Sequence, residues 1–227
     1  QVADCISKIG ISSRFLLSLI NDILDMSRIE SGKMLLKNDK IPTEEFLNGI
    51  NSICYSQAAV KDVEYECIVD PVLDDYYIGD AMKLQQVLIN ILGNAIKFTR
   101  EGGKVTFSAA VKRKMKNDAV IRFVINDTGI GMDEDYLHIF DPFSQESTGT
   151  TSLYGGTGLG LAISKSIVDL MDGKITVRSI KGLGTEFTVD VKLGITEDEK
   201  LRHRQKKHEC HFSSLKALVV DDDVAVC

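Results

Sequence analysis

The sequence NILGNAIKFT, which runs from Asn90 to Thr99, decides the fold of this chain because it sets three polar side chains into an apolar helix. Asn90, Asn94 and Lys97 are separated by four and then three residues, so an α-helix places all three on one side. The apolar positions of the same helix are Leu84, Val87, Leu88, Ile91, Leu92 and Ile96. A buried helix with such a polar strip indicates a charged ligand beside it, although the strip alone is more typical of a half-exposed helix.

Two glycine-rich segments follow this helix in the chain. DTGIG, from Asp127 to Gly131, comes directly after an apolar strand-like run. A carboxylate at a strand end can accept a hydrogen bond from an exocyclic amine, and the glycines let the backbone approach a flat ring. GGTGLGL, from Gly155 to Leu161, opens an apolar helix whose free amide groups suit phosphates. Each motif alone is weak, because such glycines also mark ordinary turns and mobile loops.

Five segments follow one another along the chain in an order that points to one family. NILGNAIKFT is followed by DTGIG, by FDPF from Phe140 to Phe143, by GGTGLGL, and by GLGTEF from Gly182 to Phe187. Together they resemble the ATP-binding catalytic domain of sensor histidine kinases, which belong to the wider GHKL ATPase superfamily. The resemblance covers roughly residues 32 to 195. It implies ATP and Mg²⁺ as cofactors, and an α/β (α+β) two-layer sandwich in which helices cover one face of a mixed sheet.

The resemblance implies a role for each polar residue of the NILGNAIKFT helix. Asn94 would supply a side-chain oxygen to Mg²⁺, Asn90 would hydrogen-bond a phosphate or a metal-bound water, and Lys97 would face the phosphates. These three are the implied catalytic residues. Phe98 would pack against the nucleoside, and Asp127 would accept a hydrogen bond from the adenine amine.

The glycine motifs would complete this ATP site. Gly129 and Gly131 would give the backbone clearance beside adenine. The other implied contacts, which shape a lid over the phosphates and the floor of the adenine pocket, are Gly156, Thr157, Gly158, Leu159, Gly160, Gly184 and Thr185. Residues 144 to 157 are small and polar without periodicity, which favours a flexible lid. Phe140 and Phe143 would anchor that lid, and a purely core role for both is equally well supported.

One position separates kinases from hydrolytic members of the superfamily. The gyrase, mismatch-repair and heat-shock chaperone types place a glutamate one turn before the metal-binding asparagine, and here that place is Asn90. An amide does not accept a proton near neutral pH, so slow ATP hydrolysis and transfer of the γ-phosphoryl group to a histidine are expected. Two alternatives stay open, a nucleotide-binding pseudokinase that acts as a scaffold and a GHKL-type ATPase clamp.

Residues 1 to 31 predict one long amphipathic helix that stops at Gly32. Its apolar seam, spaced by four and three residues as in helical bundles, comprises Val2, Ile6, Ile9, Ser13, Leu16, Ile20 and Ile23. Leu17 and Leu24 widen the seam. The helix resembles the second helix of the dimerisation and phosphotransfer hairpin of histidine kinases, which implies a homodimer; packing on its own domain is the alternative. The family's phosphoacceptor histidine lies on the first helix, so none is expected in this chain.

The C-terminal part predicts a linker and the beginning of another domain. Residues 196 to 214 are charged and contain a basic run, which favours a solvated linker over a contact with nucleic acid or a membrane. Residues 215 to 227 resemble the first strand of a receiver domain, in which Asp221 and Asp222 would be the acidic pair that holds magnesium. The chain is therefore expected to come from a hybrid kinase, with a receiver domain or response regulator as a partner.

Composition narrows the class of protein without deciding it. The 227 residues are 44% hydrophobic and 26% charged, as in ordinary globular proteins, and the net charge of −6 argues against nucleic acid as a partner. The five cysteines form no CxxC pair, which favours reduced thiols and a cytoplasmic location. No signal peptide is expected from the given sequence, and it contains no apolar run of the length that a membrane helix needs.

The hydrophobic pattern predicts alternating helices and strands through the central domain. Helices are expected near residues 43–60, 80–98, 133–139 and 158–171. Strands are expected near residues 34–40, 64–70, 75–78, 103–112, 119–126, 173–180 and 185–193, where β-branched or aromatic residues occur in short runs bounded by Gly, Asp or Asn.

Overall fold

The computed structural model describes residues 2–133, 136–142 and 158–196. Several predictions lie outside these ranges and keep their standing as predictions. They concern the lid, the charged linker and the receiver strand, and the residues named for them are Phe143, Gly156, Thr157, Asp221 and Asp222.

Four α-helices, one short 3₁₀-helix and seven strands make up the described ranges. The helices are α1 (Val2–Glu30), α2 (Thr43–Val60), α3 (Ala81–Phe98) and α4 (Gly160–Leu170), with the 3₁₀-helix at Tyr136–Phe140. The strands are β1 (Asp39–Pro42), β2 (Glu64–Val69), β3 (Tyr76–Gly79), β4 (Lys104–Lys114), β5 (Asp118–Asp127), β6 (Lys174–Ile180) and β7 (Gly184–Ile195). Of the helices in these ranges, none combines the length and the apolar composition that a membrane crossing requires.

The seven strands form one mixed sheet. Its order is β1-β3-β7-β5-β4-β2, and β6 pairs with the part of β7 that β3 leaves open. β2 runs parallel to β4, whereas the other neighbours are antiparallel. The long strands β5 and β7 lie at the centre, and their paired ends bring Asp127 opposite Thr185. This arrangement confirms the predicted mixed sheet.

One face of the sheet is covered by helices. Along β5 every second residue is buried, from Ala119 through Phe123 to Asp127, while the residues between them are half-buried or exposed. The apolar positions of α3 that are less than 2% exposed pack against this face, and they are Leu84, Val87, Leu88, Ile91 and Leu92. Each such side chain contributes about 2 kcal/mol by leaving water. The fold is thus the two-layer sandwich that the sequence predicts.

The N-terminal helix is present and ends where the sequence predicts. Gly32 follows it with a φ of +64°, and Lys33 and Met34 donate their N–H groups back to the Arg28 carbonyl, so the helix closes with a left-handed glycine. Its second half packs on the central domain through Met26 and Ile29. The seam nearer the N-terminus is 46–59% exposed at Leu16, Leu17, Ile20, Ile23 and Leu24.

A buried carboxylate joins α1 to the beginning of α3. Asp25 is 7% exposed, and its Oδ2 accepts hydrogen bonds from Lys83 Nζ at 2.8 Å and from Gln86 Nε2 at 2.9 Å. Burial raises the pKa of Asp25, but the bonds from Lys83 and Gln86 outweigh that effect and leave the pKa below its ordinary value. A charged, bonded carboxylate therefore fixes how α1 meets α3.

Three predicted element boundaries differ from the structure. The strand expected at residues 34–40 lies at Asp39–Pro42, because the chain after α1 first folds back on the helix end and then donates the Lys37 N–H to Asp80. The helix expected at 133–139 is the short 3₁₀-helix Tyr136–Phe140. The helix expected from residue 158 begins at Gly160, because Gly158 has a φ of +71° that a right-handed helix does not accept.

The outer face of the sheet carries a cross-strand ion pair, from which we expect the free energy of unfolding to depend on pH. Asp190 on β7 lies opposite Arg122 on β5 and accepts two bonds from its guanidinium, at 2.7 and 2.9 Å, and a third from Lys112 Nζ at 2.7 Å. These partners hold the pKa of Asp190 below its ordinary value, with the Arg122 bond as the largest cause. A carboxyl group with a lowered pKa stabilises the fold above its unfolded pKa of about 4, and that contribution disappears as the pH falls through the folded value.

We expect Asp190→Asn to lower the free energy of unfolding at pH 7 by about 1–2 kcal/mol, a figure reduced because solvent screens both partly exposed cations. Urea unfolding at a series of pH values measures it, and the difference from the wild type should shrink below about pH 4. The control is Asp172→Asn, because that carboxylate is 76% exposed and its contact with Lys192, at 3.3 Å, is longer than the bonds of Asp190. A difference for Asp190→Asn that is constant over the whole pH range would contradict the ionic explanation.

Candidate functional site

The polar strip of α3 lies next to the first turn of α4. Asn90 is half-buried, and its Nδ2 donates to Ser164 Oγ of α4 at 3.0 Å. A Cβ on Gly160 would approach Asn90 Oδ1 to 2.4 Å, so the backbone of the glycine-rich segment passes directly over the asparagine amide. Asn90 and Ser164 are 74 residues apart in sequence, and their bond brings the NILGNAIKFT helix into contact with the helix that GGTGLGL opens. Asn94 and Lys97 are half-buried on the same side of α3.

The two ends of α3 are fixed by side chains. At the start, Asp80 accepts a hydrogen bond from the Lys83 N–H at 3.0 Å, which is the N-cap arrangement that the prediction of a helix from residue 80 requires. At the end, Lys61 directs its ammonium group at the carbonyl groups of the last turn, including that of Ile96 at 2.9 Å. Both ends are therefore held, and the strip between them has a defined orientation.

The carboxyl group of Asp127 closes the other side of the site. Asp127 is 6% exposed at the end of β5, and its Oδ1 accepts the N–H groups of Gly129 at 2.8 Å and Thr185 at 3.3 Å. Burial raises the pKa of Asp127 above its ordinary value, against the smaller lowering effect of these two backbone bonds. A carboxyl group in so dry a place is a strong acceptor for a ligand donor.

Three glycines allow the segments around Asp127 to touch. Gly184 has a φ of +122°, and a Cβ there would lie 1.9 Å from the carbonyl oxygen of Asp127. Gly131 has a φ of +62°, and a Cβ there would lie 2.1 Å from the carbonyl oxygen of Ile180. Gly129 is equally confined, because its Cβ would lie 2.7 Å from the Phe98 carbonyl oxygen. The close neighbours are thus atoms of the protein itself, and clearance for a ligand at Gly129 and Gly131 stays a prediction.

A hydroxyl pair on the β6–β7 hairpin supports the same loop. Ser179 Oγ accepts the Met132 N–H at 2.8 Å and lies 2.9 Å from Thr185 Oγ1, directly across the hairpin. Thr185, a predicted contact at the floor of the pocket, is 8% exposed and bonds Asp127 at the same time. The DTGIG loop is therefore tied to the GLGTEF turn by side chains as well as by backbone.

Lys97 and Phe98 occupy the end of α3 beside this loop. The Nζ of Lys97 lies 4.9 Å from the centre of the Phe98 ring, which allows a cation–π contact. Burial lowers the pKa of Lys97 below its ordinary value, and the positive charge of Lys61 lowers it further. The Phe98 carbonyl accepts the Ile130 N–H at 3.2 Å, so the predicted nucleoside-packing residue is bonded to the predicted adenine loop.

The remaining predicted residues are placed in the surroundings of the site. Leu159 is 2% exposed and belongs to the core, one residue before α4. The ring of Phe140 meets that of Phe187 at 90° with 6.5 Å between centres, and Lys165 Nζ lies 5.7 Å from the Phe140 ring. Phe140 therefore packs against β7, which supports the core role that the sequence left open.

Three residues with clear contacts in the site were missed from the sequence: Lys61, Ser164 and Ser179. Ser179 could have been found, because a β6–β7 hairpin pairs it with Thr185. Ser164 lies one helical turn beyond Gly160 and would follow from the face of α4 that carries the glycine. For Lys61 no sequence signal exists, since its partners are 35 to 38 residues away and are backbone atoms.

Comparison with known proteins identifies the family. Residues 79–195 match the model of the family described as histidine kinase-, DNA gyrase B-, and HSP90-like ATPase. This chain belongs to that family. The ATPase domain defined by the match contains α3, α4 and the central strands, and so includes the motifs that carried the resemblance.

The relatives of this ATPase domain are sensor kinases. The peroxide stress-activated histidine kinase mak2 of Schizosaccharomyces pombe is 37% identical over 219 residues, which are 94% of this chain and 9% of the relative. The autoinducer 2 sensor kinase/phosphatase LuxQ of Vibrio vulnificus is 34% identical over 216 residues, 93% of this chain and 25% of the relative. The chain thus spans a quarter or less of these relatives. The predicted membership among histidine kinases is confirmed.

The fold of the ATPase domain also has a solved counterpart. Full-length ShkA in complex with AMPPNP superposes with a TM-score of 0.68 and 31% identity, over 80% of this chain and 36% of that one. The predicted fold class is confirmed by this match. The roles of individual site residues stay predictions.

Proposed function

We propose that this domain is the ATP-binding catalytic core of a hybrid sensor histidine kinase, which donates the γ-phosphoryl group of ATP to a histidine on a phosphotransfer helix. The observation that carries the proposal is the convergence of four separated motifs on one place. Asn90 contacts Gly160 and Ser164, while Asp127 contacts Thr185. The binding of AMPPNP by ShkA, which is similar in fold and sequence, supports the nucleotide.

The adenine end of the proposed site is Asp127. Two backbone N–H groups occupy its Oδ1, and the carboxyl group as a whole is almost completely removed from water. An adenine amine reaching this carboxyl group would find an acceptor held in one orientation, because Gly129 and Thr185 prevent its rotation. Phe98, at the adjoining end of α3, offers the flat surface next to it.

The phosphate end of the proposed site is the strip of α3 together with the start of α4. Amide oxygens suit Mg²⁺, and Asn94 would provide one; Asn90 would bond a phosphate or a metal-bound water. Lys97 would offset the phosphate charge, and the backbone amides before and at Gly160 lie at a helix N-terminus, where anions are stabilised. Bound Mg²⁺ would neutralise charge on the triphosphate. These residues suit Mg²⁺ and a triphosphate, because the three polar side chains lie on one face of α3. That face meets the glycine-rich segment where Asn90 approaches Gly160.

Phosphoryl transfer to histidine is favoured over hydrolysis because of Asn90. Hydrolytic members of the family carry glutamate at this place. The Asn90 amide instead donates a hydrogen bond to Ser164, and it cannot act as a general base for an attacking water. An imidazole nucleophile needs positioning more than deprotonation by the domain. A pseudokinase scaffold and an ATPase clamp remain the two alternatives, and assays of binding, hydrolysis and transfer separate them.

Partners and location follow from the parts around the site. The exposed seam of α1, from Leu16 to Leu24, supports a homodimer in which it packs against hairpin helices. The acidic residues after the linker support a receiver domain or response regulator as the acceptor of the next transfer. ATP as substrate and the free thiols of Cys54 and Cys67 support a cytoplasmic location.

Calorimetry with AMPPNP and Mg²⁺ tests nucleotide binding directly, and we expect one site per chain. ATP hydrolysis by the chain alone should be slower than about 0.01 s⁻¹, the range of phosphoryl-transfer enzymes that lack an activated water. Addition of a helical hairpin from a relative, with its phosphoacceptor histidine, should give acid-labile labelled phosphate from γ-labelled ATP. The same hairpin with alanine in place of that histidine is the control.

Each outcome distinguishes one of the functions. Binding with transfer to the histidine supports the kinase. If the domain binds AMPPNP but transfers phosphate to none of several hairpins from relatives, the scaffold is favoured. Rapid ATP hydrolysis in the absence of a hairpin favours the ATPase clamp. No binding of AMPPNP with Mg²⁺ would overturn all three.

A further inference from the structure

The end of α3 lacks the glycine that commonly closes a helix. Thr99 follows Phe98 in an extended conformation, with a φ of −80° and a ψ of 138°, so the backbone cannot satisfy its own last carbonyl groups as it does after α1. The Ala95 carbonyl is satisfied locally, by the Thr99 N–H at 3.0 Å and by Thr99 Oγ1 at 2.7 Å. The carbonyl groups of the next three residues need other donors.

Lys61 supplies most of them. Its Nζ donates to the carbonyl oxygens of Ile96 at 2.9 Å, of Thr99 at 2.6 Å, and also of Lys97. An ammonium group has three donors, and here all three point at one helix end. A positive charge at the C-terminus of a helix is further stabilised by the helix dipole.

The carbonyl group of the last residue of α3, Phe98, connects the helix end to the DTGIG loop. Phe98 directs its carbonyl at the Ile130 N–H, 3.2 Å away. The same oxygen would lie 2.7 Å from a Cβ on Gly129, so the helix end and the loop are in van der Waals contact. A displacement of the last turn of α3 would therefore move the DTGIG loop with it.

The backbone that carries Lys61 is itself well fixed. Lys61 is the residue that closes α2; its N–H group donates to the Ala58 carbonyl at 3.0 Å, and the N–H group of Asp62 donates to the Ala59 carbonyl at 3.4 Å. The neighbouring Asp62 accepts the Gly102 N–H at 2.7 Å through its own carbonyl. Lys61 also lies outside residues 79–195, which carry the family match.

We propose that Lys61 is a positioning residue for the nucleotide site, which acts through the last turn of α3 to orient Lys97 and Phe98. The proposal rests on the ATP binding proposed above. Lys61 holds the backbone that carries the phosphate-facing ammonium group of Lys97, and it leaves the Phe98 carbonyl in place to bond the adenine loop. It does not itself touch the ligand in this scheme.

Electrostatics supports the same role. The charge of Lys61 lowers the pKa of Lys97, after burial, which is the larger cause. Burial also lowers the pKa of Lys61, and Glu101 raises it. The charge of Lys61 thus acts on Lys97, as expected when both ammonium groups lie at the same end of α3.

A thermodynamic cycle tests the proposal. Lys61→Met should weaken the binding of AMPPNP with Mg²⁺ about tenfold, and Lys61→Arg, which keeps a charge and several donors, should restore it to within about threefold of the wild type. In the Lys97→Ala background, Lys61→Met should weaken binding about threefold or less, because Lys97, one of the two residues through which Lys61 acts, is gone. Lys192→Met, on the exposed side of β7, is the control and should bind normally.

A second readout does not depend on nucleotide. Hydrogen exchange at the Ile130 amide should be faster in Lys61→Met than in the wild type, because the Phe98 carbonyl that it bonds is no longer held. If Lys61→Met does not fold, Lys61→Gln replaces it in the same cycle. Its single neutral donor group should weaken binding about threefold or more.

The outcomes separate this inference from the proposed function. Absence of AMPPNP binding by the wild type would refute the proposed function, and the Ile130 exchange would still decide whether Lys61 holds the helix end. Binding by the wild type with equal affinity in Lys61→Met or Lys61→Gln would overturn the positioning role alone. Equal loss in the presence and absence of the Lys97 side chain would show that Lys61 acts by another route, and would also overturn it.

Discussion

Asp127→Asn should weaken the binding of ATP about 10- to 100-fold and leave the fold intact. Asparagine keeps an oxygen for the Gly129 and Thr185 N–H groups, which Asp127 Oδ1 accepts in the wild type. The other oxygen becomes an NH₂ group, so a donor would face the adenine amine. Loss of a hydrogen bond to a charged acceptor costs about 1.5–3 kcal/mol, and each 1.4 kcal/mol is about tenfold in affinity.

The pKa of Asp127 explains why the same substitution spares stability. Burial raises this pKa, so the charged form of the carboxyl group is less favourable in the folded state than in the unfolded chain. Such a group stabilises the fold at low pH and loses that contribution as the pH rises through the folded pKa. At neutral pH a neutral asparagine should therefore be at least as stable as the wild type, and a lower urea midpoint would contradict this explanation.

A change of base specificity makes the test sharper. Inosine triphosphate carries an oxo group where adenine carries its amine, and the amide introduced by Asp127→Asn would offer that oxygen a donor. We expect Asp127→Asn to lose most of the preference for ATP over inosine triphosphate, measured by competition against a fluorescent nucleotide. Asp118→Asn, at the opposite end of β5, is the matched control and should keep the preference. An unchanged ratio in Asp127→Asn would remove Asp127 from adenine recognition.

Asn94→Ala should reduce phosphoryl transfer to a hairpin histidine by about 1,000-fold or more. If Asn94 supplies the side-chain oxygen for Mg²⁺, its loss leaves the triphosphate charge poorly neutralised and the γ-phosphoryl group poorly placed, and positioning and charge stabilisation account for most catalysis in this chemistry. AMPPNP binding in the absence of Mg²⁺ should change little, because Asp127 and Phe98 are retained. The fold should also persist, since Asn94 is half-buried and alanine favours a helix.

Single-turnover transfer from γ-labelled ATP, measured over a range of Mg²⁺ and Mn²⁺ concentrations, checks the expectation for Asn94. Asn48→Ala is the matched control, because Asn48 is an exposed asparagine on α2, and it should transfer at the wild-type rate. Transfer by Asn94→Ala at the wild-type rate, with the wild-type dependence on the metal, would show that Asn94 is no metal ligand.

Much of the fold could be predicted because its elements carry local signals. The polar strip of α3 interrupts a regular apolar pattern, Gly32 marks the end of α1 with a positive φ, and the alternation of β5 shows directly in its burial. The first strand was misplaced because Met34 and Leu36 are apolar and look like strand residues, whereas Met34 packs into the core beside the end of α1. Local composition does not distinguish these two kinds of burial.

The parts of the site that escaped prediction depend on contacts between distant segments. The bond from Asn90 to Ser164 and the bonds from Lys61 to the end of α3 exist only after the helices have packed. The parallel pairing of β2 with β4 is likewise a product of topology, since nothing in either strand specifies its direction. Family motifs supplied the candidate residues of the site, but the residues that hold these candidates in place have ordinary sequence contexts.

The contact of Asp25 with Lys83 and Gln86 has a mechanical consequence. Successive residues of an α-helix are about 100° apart around its axis, so a turn of α1 by a single residue step would carry the carboxylate out of reach of both partners. Asp25 is 7% exposed, and a buried charge that loses the groups bonded to it is strongly destabilising. We therefore expect this contact to hold α1 in one rotational position on the domain. Rotation of the long helix should be transmitted only when the contact breaks and α1 turns by a whole residue step.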